Sequence, residues 1–352
     1  MWYIVWLLVI IWIIVIYLSL DNEKSEIDSF DYTKVDFYSE LNSLEIRNEK
    51  IINFKNKVQK YIIWTDNLIN SIIVSILANG HIIVEWVPWL AKTRTILVVS
   101  KLLWLDFKRI QFTPDMLPSD VIGGEIYNKN NWKFEVFKGP IFTNLLLADE
   151  INRATPKVQS ALLEAMQERK VTIWNKTFEL DTPFFVMATQ NPLEQEWTFP
   201  LPEAQLDRFL FKVLVSYPSK EEEKQILDSF DKNIEDLDSL LSKNEISSIQ
   251  SDIEKIDVPE NIKEYIINIV NVTREENQNI EVWASTRASI ALKKASQVVA
   301  YLEWRQIVEI EDVKKVVLPI LRHRVKLSYN ALSQQKSIEE ILIRQLIKIK
   351  DL

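Results

Sequence analysis

The residues best suited to chemistry are a Lys92-Thr93 pair that opens a helical stretch and the acids that end the apolar run Leu145-Leu146-Leu147-Ala148-Asp149-Glu150. A lysine at the head of a helix reaches the β- and γ-phosphates of a nucleotide, and a neighbouring threonine hydroxyl ligates Mg²⁺. Asp149 is suited to hold that metal, usually through water, and Glu150 to polarise an attacking water as general base. Asn191, in Ala188-Thr189-Gln190-Asn191-Pro192, follows another apolar run and is suited to place an amide near a γ-phosphate. Arg208, in Leu206-Asp207-Arg208-Phe209, and Arg287, in Ala284-Ser285-Thr286-Arg287-Ala288, carry planar charges that match phosphoryl oxygens. An arginine alone is more often a surface ion-pair residue, and spacing does not lift that reading.

The loop before Lys92 is anomalous. Ile82-Ile83-Val84 reads as a buried parallel strand, and the context of strand, loop and helix is that of a Walker A loop. Its residues would be Trp86, Val87, Pro88, Trp89, Leu90, Ala91, Lys92 and Thr93. Such a loop wraps phosphates with backbone N–H groups and needs positions tolerant of positive φ. Indoles at 86 and 89 would fill the space meant for phosphate. Either the loop is dead, or these are not the residues the cell makes.

Composition favours the second option. Glycine normally supplies about 7% of residues, roughly 25 in a chain of this size, yet this one has 4 Gly and 12 Trp in 352 residues. Trp174-Asn175 stands between two strand-like runs, where a two-residue hairpin turn wants Gly-Asn. Trp104 follows a helical pattern, at the place of a C′ glycine. The expectation is a gene in which UGA encodes glycine, translated with a table that reads it as tryptophan.

The elements that must position these residues follow from periodicity. Strand-like runs at 82–85, 108–112, 143–148, 184–189 and 209–215 alternate with helical patterns, which predicts a parallel sheet between helices. From 219 onward the pattern predicts helices only. Residues 2–20 carry no charge and are long enough to span a bilayer, so a transmembrane anchor over 1–20 is expected, with a buried helix as the alternative. A polar, acidic tether follows at 21–45. A net charge of −8 gives no general attraction to nucleic acid, and the absence of Cys excludes disulfides and thiolate metal sites. His81, beside Gly80 at a strand start, reads as structural.

The stretches Ala78-Asn79-Gly80-His81 through Thr93, Leu147-Ala148-Asp149-Glu150-Ile151-Asn152-Arg153-Ala154, Ala188-Thr189-Gln190-Asn191-Pro192 and Leu201-Pro202-Glu203-Ala204-Gln205-Leu206-Asp207-Arg208-Phe209 together resemble the MoxR family of AAA+ ATPases, over roughly residues 46–330. The resemblance implies an α/β P-loop AAA+ fold: a three-layer parallel-sheet core at 46–217, an all-α lid at 218–330 and a C-terminal helix at 331–352. The N-terminal transmembrane helix would be an addition untypical of the family.

The family loop reads G-x-P-G-x-A-K-T, so Trp86 and Trp89 are departures. Trp64, Trp104, Trp132, Trp174, Trp197, Trp283 and Trp304 also fall at family glycines. By resemblance Lys92 and Thr93 are Walker A, Asp149 and Glu150 Walker B, Asn191 sensor 1, Arg208 an arginine finger acting on a neighbour's ATP, and Arg287 sensor 2. Segments 119–140 and 171–180 would face a central pore.

The implied function is an ATP- and Mg²⁺-dependent remodelling chaperone. It would act as a ring, most simply a hexamer, on a protein client, with von Willebrand A-domain partners and a cytoplasmic ATPase domain held at the inner face of the membrane. Two other readings stay open at this stage: a non-hydrolysing scaffold, if Trp86 and Trp89 are real, and a DNA-acting motor, which the acidic balance disfavours.

Overall fold

The computed structural model describes residues 41–62, 66–86, 92–129, 132–191, 198–215, 220–229, 234, 237–275, 279–347 and 349. Five apolar runs form one parallel sheet. They are β1 (Ile82–Trp86), β2 (Phe107–Gln111), β5 (Leu145–Asp149), β8 (Phe185–Gln190) and β9 (Phe211–Val215), in the order β2-β5-β8-β1-β9. All four adjacent pairs are parallel, with Leu147 opposite Met187 and Val84 opposite both Thr189 and Val213. A parallel sheet covered on both faces makes near-continuous hydrophobic strands, and here alternate residues serve two cores. Val84, Leu147, Met187 and Val213 face one; Ile83, Leu146, Ala148, Val186 and Ala188 face the other.

Helices supply the outer layers. The helix Pro156–Glu168 starts with proline at N1, where its missing N–H costs nothing, and it sends Val158, Leu162, Leu163 and Met166 into the second core. The first core continues into the helices Glu260–Val272, Thr286–Leu302 and Ile310–Leu321, so sheet and helical region share one hydrophobic interior. Two hairpins project from the α/β part: β3 (Gly123–Asn128) with β4 (Lys133–Lys138), and β6 (Lys170–Ile173) with β7 (Lys176–Glu179). The sequence predicts the second; the regular pairing inside 119–140 escapes it, because that run lacks strict alternation.

Two expectations are corrected. The transmembrane helix does not belong to the fold class. Among the described residues no helix is long and apolar enough to cross a membrane, and the expected anchor at 2–20 lies outside them. The longest described helix, Thr286–Leu302, has 17 residues, below the ~20 a span needs, and it carries Arg287, Lys293 and Lys294. The C-terminal region is also not purely helical. Ile280–Val282 pairs antiparallel with Lys326–Leu327, a pairing too short to leave a periodic signal.

Four tryptophans occupy the left-handed region: Trp104 (φ 46°), Trp132 (φ 56°), Trp174 (φ 53°) and Trp304 (φ 65°). All four are between 68% and 79% exposed, and Trp132 meets the Tyr127 ring edge-on at 6.5 Å. Trp174 forms the two-residue link between β6 and β7, and Trp104 ends the helix Lys92–Leu102, the two places where the sequence predicts glycine. Trp283, also at a family glycine, is not among the positive-φ residues.

Candidate nucleotide site

The C-terminal edge of the sheet gathers the acids. Asp149 is the last residue of β5 and is buried, as expected where an apolar run ends against neighbouring strands. Its Oδ1 accepts from Thr189 Oγ1 at 2.6 Å, and its Oδ2 pairs with Arg109 Nη2 at 2.7 Å. Glu150 takes a left-handed backbone conformation (φ 57°, ψ 48°) that costs a non-glycine residue about 1–2 kcal/mol. Its N–H donates to Thr189 Oγ1 at 3.0 Å, which ties the turn down. Its carboxylate accepts from Gln111 Nε2 at 2.8 Å and pairs with Arg153 Nε at 3.0 Å.

Asn191 is buried one residue beyond β8, whose Gln190 is in register with Glu85 of β1. The backbone places Lys92 first and Thr93 second in the helix after β1, so a helix N-terminus with its positive dipole end stands beside that edge. Trp86 ends β1 opposite Val215. The loop residues Val87, Pro88, Trp89, Leu90 and Ala91 lie outside the described residues.

Among the described residues no group of three or more His, Cys, Asp or Glu is gathered to hold a metal on protein ligands alone. One carboxylate and one hydroxyl, as Asp149 and Thr93 offer, fit a Mg²⁺ that arrives with phosphates and keeps several waters.

Local sequence does not single out Thr189, Arg109 or Gln111. Arg109 and Gln111 are two apart on β2 and so share a face, a signal available once β2 was placed beside β5. Thr189 belongs to the Ala188-Thr189-Gln190-Asn191-Pro192 stretch, but nothing local shows that its hydroxyl faces Asp149.

The predicted arginines occupy the opposite edge. Arg208 lies three residues before β9, and the following Leu210 N–H donates to His81 O at 2.7 Å, at the N-terminal end of β1. Arg287 is second in the helix Thr286–Leu302, capped by Ser285, whose Oγ accepts from Arg287 N at 3.1 Å and donates to Asp207 Oδ2 at 2.7 Å. A cation in a helix's first turn opposes the dipole, and the Asp207 carboxylate offsets it here. Asp207 Oδ1 also receives Arg324 Nε at 2.7 Å, while Arg287 Nη1 stands 3.7 Å from its Oδ2.

The two arginines line a cleft of about 400 Å³ together with Gly80, Gln167, Arg169 and Lys294. Burial lowers Arg169 and Arg324 to about 10, which leaves both charged at neutral pH. His81 forms part of the same wall. Its Nε2 meets Met166 O at 3.2 Å and its Nδ1 accepts from Val186 N at 3.1 Å. Burial, reinforced by Arg169, brings it from 6.5 to about 3, so the ring is neutral and structural.

A family model described as "ATPase family associated with various cellular activities (AAA)" matches residues 81–211, and an AAA lid domain model matches 273–344. The chain is 45% identical to the uncharacterized protein YeaC of Bacillus subtilis, over 77% of this chain and 86% of that protein. It is 41% identical to Chaperone MoxR1 of Mycobacterium tuberculosis, over 82% of this chain and 79% of the relative. A crystal structure of a candidate ATPase from Cytophaga hutchinsonii superposes with a TM-score of 0.80 at 43% identity, covering 86% of this chain and 94% of that one. On identity of this extent, together with the sheet order and the acids at its edge, the chain belongs to the MoxR family of AAA+ ATPases.

Proposed function

We propose that the protein forms a ring, most simply a hexamer, that hydrolyses ATP at its subunit interfaces and uses the energy to remodel a protein client. The observation that carries this reading is the separation of two half-sites by the length of the sheet. Asp149, Glu150 and Thr189 stand at the C-terminal ends of β5 and β8, while Arg208 and Arg287 stand at the N-terminal ends of β1 and β9. Strands of five residues at ~3.3 Å each separate these edges by about 16 Å. A single γ-phosphate cannot meet both edges of one chain. A neighbour in a closed ring supplies the missing half.

Within such an interface Lys92 reaches the β- and γ-phosphates and Asn191 orients the attacking water. Thr93 and Asp149 would hold Mg²⁺, which would supply charge neutralisation at the phosphates. Glu150 takes the proton from water, and Arg208 from the next subunit stabilises charge in the transition state, with Arg287 beside it. The client is a protein, and a von Willebrand A-domain protein is the partner class the family resemblance suggests.

The same reading requires glycine at 86 and 89. The left-handed Trp104, Trp132, Trp174 and Trp304 support glycine decoding along the chain.

Mixing two inactive variants tests the ring. Made with glycine at 86 and 89, Glu150→Gln and Arg208→Ala should each lose turnover, by on the order of 10³-fold or more for the arginine. Combined, they should recover activity, because an Arg208→Ala subunit keeps Glu150 and faces an intact Arg208. No recovery on mixing, or an active Arg208→Ala variant, sinks the proposal.

A further inference from the structure

We infer that Gln167 is a positioning residue that holds Arg208 and Arg287 as one unit for the neighbouring subunit's nucleotide. The inference rests on the proposed action of Arg208 across the interface. Gln167 Oε1 accepts from both guanidinium groups: from Arg208 Nη1 in a short hydrogen bond, and from Arg287 Nη2 at 3.2 Å. Its amide nitrogen donates to Glu168 Oε1 at 3.1 Å, which turns the oxygen toward the arginines. One atom therefore joins the α/β part, through Arg208, to the helical region, through Arg287.

The support behind Gln167 is firm. It lies in the last turn of the helix Pro156–Glu168, whose end is closed by Arg169 in the left-handed conformation (φ 56°). Arg169 reaches Asn79 O at 2.7 Å and also bonds Phe184 O, while His81 contacts Met166 O. Three bonds thus pin the helix end to the N-terminal edge of the sheet and fix where Gln167 begins.

The type of acceptor matters. The cleft carries Arg169, Arg208, Arg287, Lys294 and Arg324 around one carboxylate, Asp207. Asp207 is engaged closely by Arg324 and Ser285, with Arg287 further off at 3.7 Å, and Arg208 is not paired to it in any hydrogen bond or ion pair. The remaining acceptor common to the two arginines is a neutral amide oxygen. A neutral acceptor aligns a guanidinium without cancelling its charge, and its bond is weaker than the charge-assisted bond to a phosphoryl oxygen. The arginines can therefore exchange Gln167 for phosphate when an interface closes. A carboxylate in the same place would compete with phosphate for them.

Gln167→Ala and the isosteric Gln167→Glu test this, in protein carrying glycine at 86 and 89, with Arg208→Ala measured alongside. Gln167 is exposed, so melting temperature and ring size should not change. Gln167→Ala should lower kcat about fivefold, the scale of one net hydrogen bond, with KM for ATP within about twofold. Gln167→Glu should lower kcat further and weaken binding of ADP–aluminium fluoride, a transition-state mimic, while ADP binding stays unchanged. A merely structural tether predicts the reverse order, with Glu as good as Gln. That result, or wild-type kcat in both variants while Arg208→Ala is inactive, overturns the role of Gln167. An active Arg208→Ala variant overturns the underlying reading instead.

Discussion

Thr189 Oγ1 donates to Asp149 Oδ1 at 2.6 Å and accepts from the Glu150 N–H at 3.0 Å, so one hydroxyl on β8 fixes both acids at the end of β5. The contact reaches across adjacent parallel strands and ties down the left-handed backbone of Glu150.

Thr189→Val should therefore cost more than a methyl-for-hydroxyl exchange on the surface. It leaves a buried carboxylate oxygen and a backbone N–H without this partner, a loss of about 1–3 kcal/mol. Urea denaturation reads the stability loss, and ATP turnover should fall with it. Thr189→Ser should restore both; equal behaviour of Val and Ser variants would remove Thr189 from its assigned role.

Replacing Trp104, Trp132, Trp174 and Trp304 by glycine should stabilise the protein. Each non-glycine residue in the left-handed region carries about 1–2 kcal/mol of strain, part of which glycine's larger unfolded-state freedom takes back. A net gain of roughly 0.5–1 kcal/mol at each position should raise the melting temperature by several degrees. Peptide masses of the protein from its native source should show glycine at these positions. Tryptophan masses there would end the decoding hypothesis.

Acid should destabilise the fold through its two histidines. Burial lowers both, His81 from 6.5 to about 3 and His323 well below 6.5, so the folded chain keeps them neutral. The unfolded chain binds their protons near 6.5. Between there and the folded value the unfolded state holds more protons, so stability falls as pH falls, by about 1.4 kcal/mol per pH unit for each histidine. Above pH 7 they contribute no slope. Imidazole NMR signals should stay flat from pH 7.5 to 5; a midpoint near 6.5 for either ring would refute the assignment.

Much of the architecture is legible locally. Strands buried on both faces are near-continuous apolar runs, so 82–85, 143–148 and 184–189 stand out, and so do the acids Asp149 and Glu150 at the end of one of them. Lys92-Thr93, Asp149-Glu150 and Asn191 are recognisable for that reason. The turn positions of Trp104 and Trp174 are legible too, because a C′ residue and a two-residue hairpin have few allowed conformations. The short strands at 280–282 and 326–327 are not legible, since a few residues define no period.

Local sequence thus determined which residues could handle a phosphate and which elements carry them. Tertiary structure decided where they act. Register between parallel strands is set by packing over the whole sheet, so only folding brings Thr189 to Asp149, 40 positions away, or Arg109 and Gln111 to the two acids. Only folding, likewise, places Arg208 and Arg287 on one amide oxygen of Gln167, at the edge opposite Asp149 and Glu150. Spacing along the chain carries no record of that separation, because it arises from strand direction and from the docking of the helical region on the sheet.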